Sequence, residues 1–261
     1  MEIQREFDFQ KRVLVTGGTG EIGRSIVAEL AERGCHIVTC GTDRGALRRL
    51  ENTYEYVEAE CLDVRSTKTI SSFVRRSIKR MDGLDILILN AAVGGVGYPK
   101  HVTYAVNLWA PVCFLRESAK NLLLSQGRVI FLSSRQAEHP LQCNPHYSET
   151  KKRFTNYLER FVRSNSHNGI HAFSVIPPPV LSDMHFRSLF QASDGGEKSR
   201  MLLQEGKFQQ ASIVGKIIAS MALSGRKYNN VSKSYDTFIE NAEIVTCSEE
   251  NVRFEHRRAN K

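Results

Sequence analysis

Two side chains in the stretch PHYSETKKRF, residues 145–154, have the types and spacing of an acid–base pair. Tyr147 lies four positions ahead of Lys151. Residues four apart share one face of a helix, so the phenol and the ammonium group would point the same way. A nearby cation favours the ionised phenol. The alternative is a solvated surface pair on a basic helix, and the spacing alone does not separate the two.

Composition limits the kind of protein that carries this pair. A chain of 261 residues with 41% hydrophobic side chains can form one large α/β domain or two small ones. The N-terminal stretch MEIQREFDFQKR is charged, and no segment approaches the roughly 18 consecutive apolar residues of a membrane helix. The 6 cysteines form no CxxC pair, which predicts neither a zinc site nor a disulfide framework. We expect a reduced, cytoplasmic protein with no membrane partner.

The net charge of +8 raises the question of nucleic acid. The basic residues are dispersed and interleaved with acids, and basic charge alone reports only non-specific attraction. No nucleic-acid partner is therefore expected. His139, His146 and His171 have no partners at metal-ligand spacing, so no metal site is predicted either.

Short apolar runs rich in β-branched residues alternate with helix-like stretches along the chain. In the first such stretch, Ile22, Ile26, Val27 and Leu30 keep the spacing of one buried helix face, and Gly34 is placed to end the helix. The alternation predicts a doubly wound, Rossmann-like, mostly parallel sheet in a three-layer α/β/α single domain spanning residues 1–261. The predicted strands are 12–16, 36–40, 84–89, 128–133 and 171–176, with weaker candidates at 54–59 and 242–247.

Two segments depart from the alternation. Residues 182–207 contain no strand-like run, and we expect a mobile substrate-binding excursion there. Residues 248–261, which end in the basic cluster EHRRANK, are predicted to be a solvated tail.

The loop after the first predicted strand has the composition of a phosphate-binding turn. In VLVTGGTGEIG the chain passes from strand to helix through Gly17, Gly20 and Gly23. Glycine lets the backbone approach a pyrophosphate closely, and the helix N-terminus beyond offers free N–H groups. Asp63 and Asn90 follow later strands, and open α/β sheets bind ligands at the carboxyl ends of their strands. The pattern predicts dinucleotide binding, with Asp63 placed to accept from an adenine amino group.

Over roughly residues 10–184 the chain resembles the short-chain dehydrogenase/reductase family. The family's Ser, Tyr and Lys fall on Ser134, Tyr147 and Lys151, with Ser133 as the neighbouring alternative to Ser134. Asn107 in YAVNLWA matches its helix Asn. The resemblance implies cofactor contacts from Gly17, Thr19, Gly20, Glu21, Ile22, Gly23, Thr42, Asp43, Arg44, Asp63, Val64, Asn90, Ala91, Ala92, Tyr147, Lys151, Pro177, Val180 and Ser182.

The resemblance also implies a reaction, an oligomer and a role for each catalytic side chain. The reaction is NAD(P)-dependent hydride transfer between nicotinamide C4 and a small-molecule carbonyl or secondary alcohol. Tyr147 would be the general acid or base, with Lys151 stabilising the phenolate and holding the ribose hydroxyls. Ser134 would hydrogen-bond the substrate oxygen, and Asn107 would hold a water that links Lys151 to solvent. The family resemblance further implies a homodimer or homotetramer.

The glycine loop departs from the pattern of the single-domain branch. That branch has TGxxxGxG, whereas Glu21 stands at its second glycine and the glycines fall as GxxGxxG. This spacing is similar to the epimerase and dehydratase branch, but only about 80 residues remain after the sixth strand for a substrate domain. Pro178 replaces a usual glycine and removes a backbone donor. An epimerase or dehydratase, or a non-catalytic dinucleotide-binding regulator, are the alternatives. The intact Ser, Tyr, Lys and Asn set disfavours the regulator.

The end of the second strand bears on the choice of cofactor. NAD enzymes of this fold place an acid there, because it bonds the ribose hydroxyls and repels a 2′-phosphate. Here that position is Gly41, followed by Thr42 and by Arg44, which is within reach of a phosphate. Asp43 is either an NAD selector or the cap of the next helix, and Arg24 could approach from the first helix. We favour the cap, and hence NADP (NADPH) over NAD.

Assembly is suggested by two apolar helix stripes. One comprises Phe154, Tyr157, Leu158, Phe161 and Val162, and the other runs along residues 102–124. Both are wider than packing on one sheet face requires, which predicts helix-on-helix packing across a two-fold axis. Cover by the segment 182–207 is the alternative. Trp109 and Phe114 are interpreted as packing residues.

Overall fold

Six parallel strands form the central sheet. The computed structural model describes residues 11–142, 144–180, 182–184, 208–224, 247–248 and 251–252. The strands pair in the order β3-β2-β1-β4-β5-β6. This order confirms the predicted doubly wound, Rossmann-like sheet. The strands are β1 (Arg12–Thr16), β2 (His36–Gly41), β3 (Val57–Cys61), β4 (Ile86–Leu89), β5 (Arg128–Leu132) and β6 (His171–Val175).

Helices connect successive strands, as parallel pairing requires. Gly34 takes a φ of 75° just past the first helix, and its N–H donates to the carbonyl of Ala31 over 3.0 Å. The predicted role of Gly34 in ending this helix is therefore confirmed. The helices are α1 (Glu21–Ala31), α2 (Arg44–Thr53), α3 (Thr67–Met81), α4 (Lys100–Tyr104), α5 (Ala110–Leu124), α6 (Pro145–Asn165) and α7 (Ala211–Leu223).

Alternate residues of the strands build two separate cores. Val13 and Val15 of β1 pack with α1 and α7 on one face, whereas Leu14 packs with α3, α5 and α6 on the other. Strands buried on both faces read as continuous apolar runs rather than alternating ones, which explains the apolar run that forms β4. The result is the predicted three-layer α/β/α arrangement.

The strand order reverses at the centre of the sheet, where β1 and β4 pair with each other. From β1 the sheet continues through β2 to β3, and from β4 it continues in the opposite direction through β5 to β6. In sheets of this kind the crevice at such a switch point, beyond the carboxyl ends of the strands, is where ligands bind. The loops after β1, β4 and β5 therefore meet where the sequence places its candidate chemistry.

Some predictions fall outside the described residues or need correction. The weak strand at 54–59 is displaced to Val57–Cys61, because Tyr54 still caps α2 through its N–H to the carbonyl of Leu50. The strand at 242–247 and the excursion at 182–207 lie largely outside the described residues, as does most of the tail. Where the predicted strand meets the predicted tail, the described residues form two short strands, β7 (Cys247–Ser248) and β8 (Asn251–Val252), which pair antiparallel. Among the helices described, none is long and apolar enough to cross a membrane.

Candidate active site

The glycine loop packs tightly against the loop that follows β4. Gly17 has a φ of 71°, and a Cβ there would lie 2.9 Å from the Cα of Ala91. A Cβ on Gly23 would overlap the carbonyl oxygen of Gly17. Gly20 differs, because the nearest atom to a Cβ there is 3.7 Å away and the position opens outward. Gly20 directly precedes α1 and offers no side-chain cap, so the first N–H groups of this helix are available to a ligand.

Asn90 and Thr16 fasten the ends of β1 and β4 to each other. The Asn90 amide donates to the carbonyls of Thr16, at 3.1 Å, and Gly17, at 2.9 Å. The Thr16 hydroxyl accepts from the backbone N–H groups of Asn90 and Ala91, each at 3.1 Å. Sequence reasoning missed Thr16. Its position as the polar last residue of an apolar strand, directly before the glycines, was the available indication.

The end of β2 is shaped by packing as much as by charge. A Cβ on Gly41 would overlap the side chain of Thr19, so an acidic side chain does not fit there while Thr19 stays in place. Asp43 directly precedes α2, and its carboxylate accepts a hydrogen bond from the N–H of Ala46 at 2.9 Å, as the capping interpretation predicted. That hydrogen bond is the main reason why the pKa of Asp43 is lowered, and the charges of Arg49 and Arg24 act in the same direction. Thr42 and Arg44 are exposed beside it.

Asp63, predicted to contact adenine, is bound by a neighbour. Its carboxylate accepts from the guanidinium of Arg65, and this hydrogen bond lowers the pKa of Asp63. Arg65 holds the carboxylate at the carboxyl end of β3, but the base contact itself stays a prediction. Val64 packs against the core on the α3 side.

Tyr147, Ser134 and Lys151 come together just beyond the carboxyl end of β5. Tyr147 and Lys151 lie one turn apart on α6, and both are buried, with 8% and 2% of their surfaces exposed. The Lys151 ammonium donates to the carbonyl of Leu132 at 2.7 Å and lies 5.7 Å from the centre of the Tyr147 ring. Ser134 makes a side-chain hydrogen bond with Tyr147. The surface-pair interpretation of Tyr147 and Lys151 is therefore wrong.

Burial dominates the protonation of this pair. It raises the pKa of Tyr147, against which the hydrogen bond from Ser134 acts. Burial also lowers the pKa of Lys151 to about 7. In the free protein burial therefore outweighs the predicted effect of Lys151 on the phenol, since an amine with a pKa of about 7 is only about half protonated at pH 7.

Ser133 points elsewhere. Its hydroxyl lies 3.3 Å from that of Thr155, one turn beyond Lys151 on α6, and its N–H donates to Val175. Of the two adjacent serines, Ser134 is the one beside Tyr147.

Asn107 clamps the loop that follows β4. It lies in a π-helical turn, Ala105–Trp109, between α4 and α5, and only 1% of its surface is exposed. Its side-chain oxygen accepts from the N–H of Val93 at 2.9 Å, and its amide donates to the carbonyl of Val93 at 2.8 Å. The visible role of Asn107 is thus to position this loop. Its predicted water contact stays a prediction.

Asn144, which sequence reasoning missed, adds a polar group beside Tyr147. It precedes Pro145, the first residue of α6, and 8% of its surface is exposed. Its side-chain oxygen occupies the space that a Cβ on Gly95 would fill, and that Cβ would be 3.1 Å from the Cβ of Tyr147. Among the described residues its amide has no hydrogen-bond partner. An Asn three positions before the Tyr was the available indication.

The segment after β6 returns to the glycine loop. Val180 is buried and bridges to Gln209, and Pro177 and Pro178 are half-buried. The N–H of Asp183 donates to the Glu21 carboxylate at 3.3 Å. Ser182 therefore lies next to a residue that contacts the N-terminus of α1. Within the described residues no cluster of His, Cys, Asp or Glu forms a metal site.

A family model described as short chain dehydrogenase matches residues 11–191. The chain belongs to the short-chain dehydrogenase family. Members of this family are NAD(P)-dependent oxidoreductases, so the predicted family and enzyme class are confirmed.

Curated relatives of this short-chain dehydrogenase differ in their named activities. A tropinone reductase homologue from Arabidopsis thaliana is 27% identical over 82% of this chain and 87% of that protein. An L-rhamnose 1-dehydrogenase (NADP(+)) from Thermoplasma acidophilum is 26% identical over 70% of this chain and 78% of that protein. A Sesamum indicum protein named 11-beta-hydroxysteroid dehydrogenase A is 26% identical over 57% of this chain. The match covers 47% of the length of that Sesamum indicum protein, and 34% and 27% of the lengths of two further relatives.

Solved structures share the fold at lower identity. The KRED1-Pglu enzyme superposes with a TM-score of 0.78 at 22% identity, covering 86% of this chain and 99% of that one. An actinorhodin polyketide ketoreductase variant solved with NADPH gives 0.72 at 21% identity, covering 82% and 90%. These likenesses show the fold alone.

Proposed function

We propose that this short-chain dehydrogenase moves a hydride between NADP and a carbonyl or secondary alcohol of a small molecule. One observation supports the proposal above all: Ser134 and Tyr147 are hydrogen-bonded next to the buried Lys151, near the switch point of the sheet. An epimerase or regulator gains no specific support from the described residues.

The crevice fits a dinucleotide. The N-terminus of α1 has no side-chain cap, and the outward opening at Gly20 leaves room for a diphosphate. Asn90 and Thr16 keep the glycine loop and the β4 loop together beneath it. When bound, the cofactor supplies the hydride or accepts it at nicotinamide C4.

Side chains of the protein transfer the proton. Tyr147 is protonated below its raised pKa, so it holds the proton that the carbonyl oxygen gains in reduction. Ser134 binds the same oxygen and stabilises its developing charge. Lys151, with a pKa of about 7, can exchange a proton with solvent near neutral pH and restore the Tyr147 proton. Asn144 offers a further polar contact to the substrate.

The preference for NADP rests on the end of β2. The Thr19 side chain leaves no room for a side chain at position 41, and the Asp43 carboxylate already accepts a hydrogen bond as the cap of α2. Arg44 stands exposed beside them as a partner for a 2′-phosphate. Position 41, where NAD enzymes of this fold carry an acid, therefore offers no carboxylate to the ribose hydroxyls.

The test is a screen of paired carbonyl and alcohol compounds in which the absorbance of NADPH or NADH reports turnover. Tyr147→Phe removes only the proton donor, so we expect it to abolish turnover and to leave cofactor affinity nearly unchanged. Tyr157→Phe makes the same change on the same helix at a half-buried position and serves as the control. Near-normal turnover by Tyr147→Phe would overturn the mechanism.

A further inference from the structure

Glu21 places a negative charge at the end of α1 where the diphosphate is expected. It is the first residue of the helix and the acid of its first turn. The helix dipole attracts an acid there, and the same dipole and free N–H groups attract a phosphate. The carboxylate and a diphosphate therefore compete for one positive helix end.

No Lys, Arg or His among the described residues forms an ion pair with this carboxylate. Its recorded partner is the backbone N–H of Asp183, at 3.3 Å, in the segment after β6. That N–H is a neutral donor, so it does not cancel a negative charge on Glu21. The contact also joins the glycine loop to the segment that carries Ser182.

We propose that Glu21 weakens cofactor binding and so sets the affinity of this enzyme for NADP(H). The free protein holds the carboxylate between the helix end and Asp183, and a diphosphate that enters the crevice meets its charge. This inference rests on the proposed function, because it requires a dinucleotide in the crevice. It concerns affinity and requires no role for Glu21 in hydride transfer.

Two substitutions separate charge from hydrogen bonding. Glu21→Gln keeps the shape and an oxygen that can accept from Asp183 but removes the charge, whereas Glu21→Ala removes both. We expect Glu21→Gln to bind NADPH about tenfold more tightly than the wild type at low salt, with a smaller gain at high salt because exposed charges are screened. Glu21→Ala should also bind more tightly. Glu32→Gln makes the same change in net charge at the exposed far end of α1 and should leave affinity unchanged.

The experiment is a fluorescence titration of NADPH into each cofactor-free protein at two salt concentrations, after circular dichroism has shown equal folding. Equal or weaker binding by both Glu21 variants would overturn the inference. So would an equal gain in Glu32→Gln, because the effect would then come from net charge rather than from position. Wild-type protein that binds neither NADPH nor NADH would instead refute the proposed function, which keeps the two failures distinct.

Discussion

At the scale of single residues, the burial of Lys151 makes the stability of the cofactor-free protein depend on pH. The pKa of Lys151 is about 7 in the folded protein, against about 10.4 in an unfolded chain. Between these values the unfolded chain holds a proton that the folded chain lacks, so stability rises with pH. The raised pKa of Tyr147 acts in the opposite direction only above about pH 10, so it leaves this window clear.

We therefore expect the free energy of unfolding to rise by about 1.4 kcal/mol per pH unit between pH 7 and 10 because of Lys151. In Lys151→Met this contribution should disappear, and the variant should gain most over the wild type near pH 7. Urea unfolding at three pH values checks the prediction. Lys152→Met, at the exposed neighbouring position, should keep the wild-type slope. Parallel curves for wild type and Lys151→Met would contradict the burial argument.

Cofactor selection is also decided by single residues. We expect NADPH to bind more tightly than NADH, and Arg44→Ala to weaken NADPH about tenfold with NADH unchanged, because a charge-assisted phosphate contact is lost. Arg48→Ala, on the exposed side of the same helix, is the control. Asp43→Ala should lower stability, because the cap of α2 is lost, without changing the NADPH to NADH ratio. Tighter binding of NADH that is lost in Asp43→Ala would overturn the assignment.

These residues differ in how far the sequence predicts their behaviour. The Asp43 cap follows from local rules, because an Asp directly before a helix bonds N–H groups a few positions on. The pairing of Asn107 with Val93 depends on the path of the loop between them, which no local rule supplies. The spacing of Tyr147 and Lys151 predicts a shared face, but the sign of each pKa change depends on burial depth, and burial is a property of the folded protein.

At the scale of elements, the strands of the sheet interior were predicted to within two residues, because they are apolar on both faces. The third strand, VEAEC, lies at the sheet edge and alternates charged with apolar residues, so its signature was weaker. The sequence pattern treats residues 102–124 as one apolar helix stripe. The π-helical turn at Ala105–Trp109 inserts a residue into the helical repeat and rotates the face beyond it by about 100°.

The clamp between that turn and the β4 loop should be measurable. Asn107→Leu removes two hydrogen bonds and leaves the N–H and C=O of Val93 unpaired. We expect it to lower the free energy of unfolding by roughly 1–3 kcal/mol. It should also slow turnover, since the loop reaches Tyr147 through Gly95. Thermal unfolding and steady-state kinetics check the two effects.

Ser118→Ala is the matched control for Asn107. Ser118 lies buried on α5, and its hydroxyl has no partner within the described residues. Its removal relieves an unsatisfied polar group, so stability should stay the same or rise slightly. An equal loss of stability in both variants would mean that Asn107 matters for packing rather than for its hydrogen bonds.

At the scale of the whole molecule, the apolar stripes have a different explanation from the one the sequence suggested. Phe154, Leu158 and Val162 lie in the core against the sheet, and Tyr157 and Phe161 pack partly against it. Phe114 is buried as predicted, but the interpretation of Trp109 as a packing residue is wrong, because 53% of its surface is exposed. The stripe on α6 therefore needs no partner subunit. Along the second stripe, Trp109 and Leu124 are the large apolar side chains that stay exposed among the described residues.

An exposed Trp is costly to leave in water and is enriched at subunit interfaces. Trp109 belongs to the π-helical turn that packs against α6, so two-fold packing of these elements would cover it. We expect the native chain to be a dimer or a multiple of it by light scattering at micromolar concentration, and Trp109→Lys to shift it to monomer. Leu124→Lys, at the other end of α5 where Leu124 is also exposed, should keep the native mass. A native monomer would contradict the assembly and favour cover of Trp109 from within the chain.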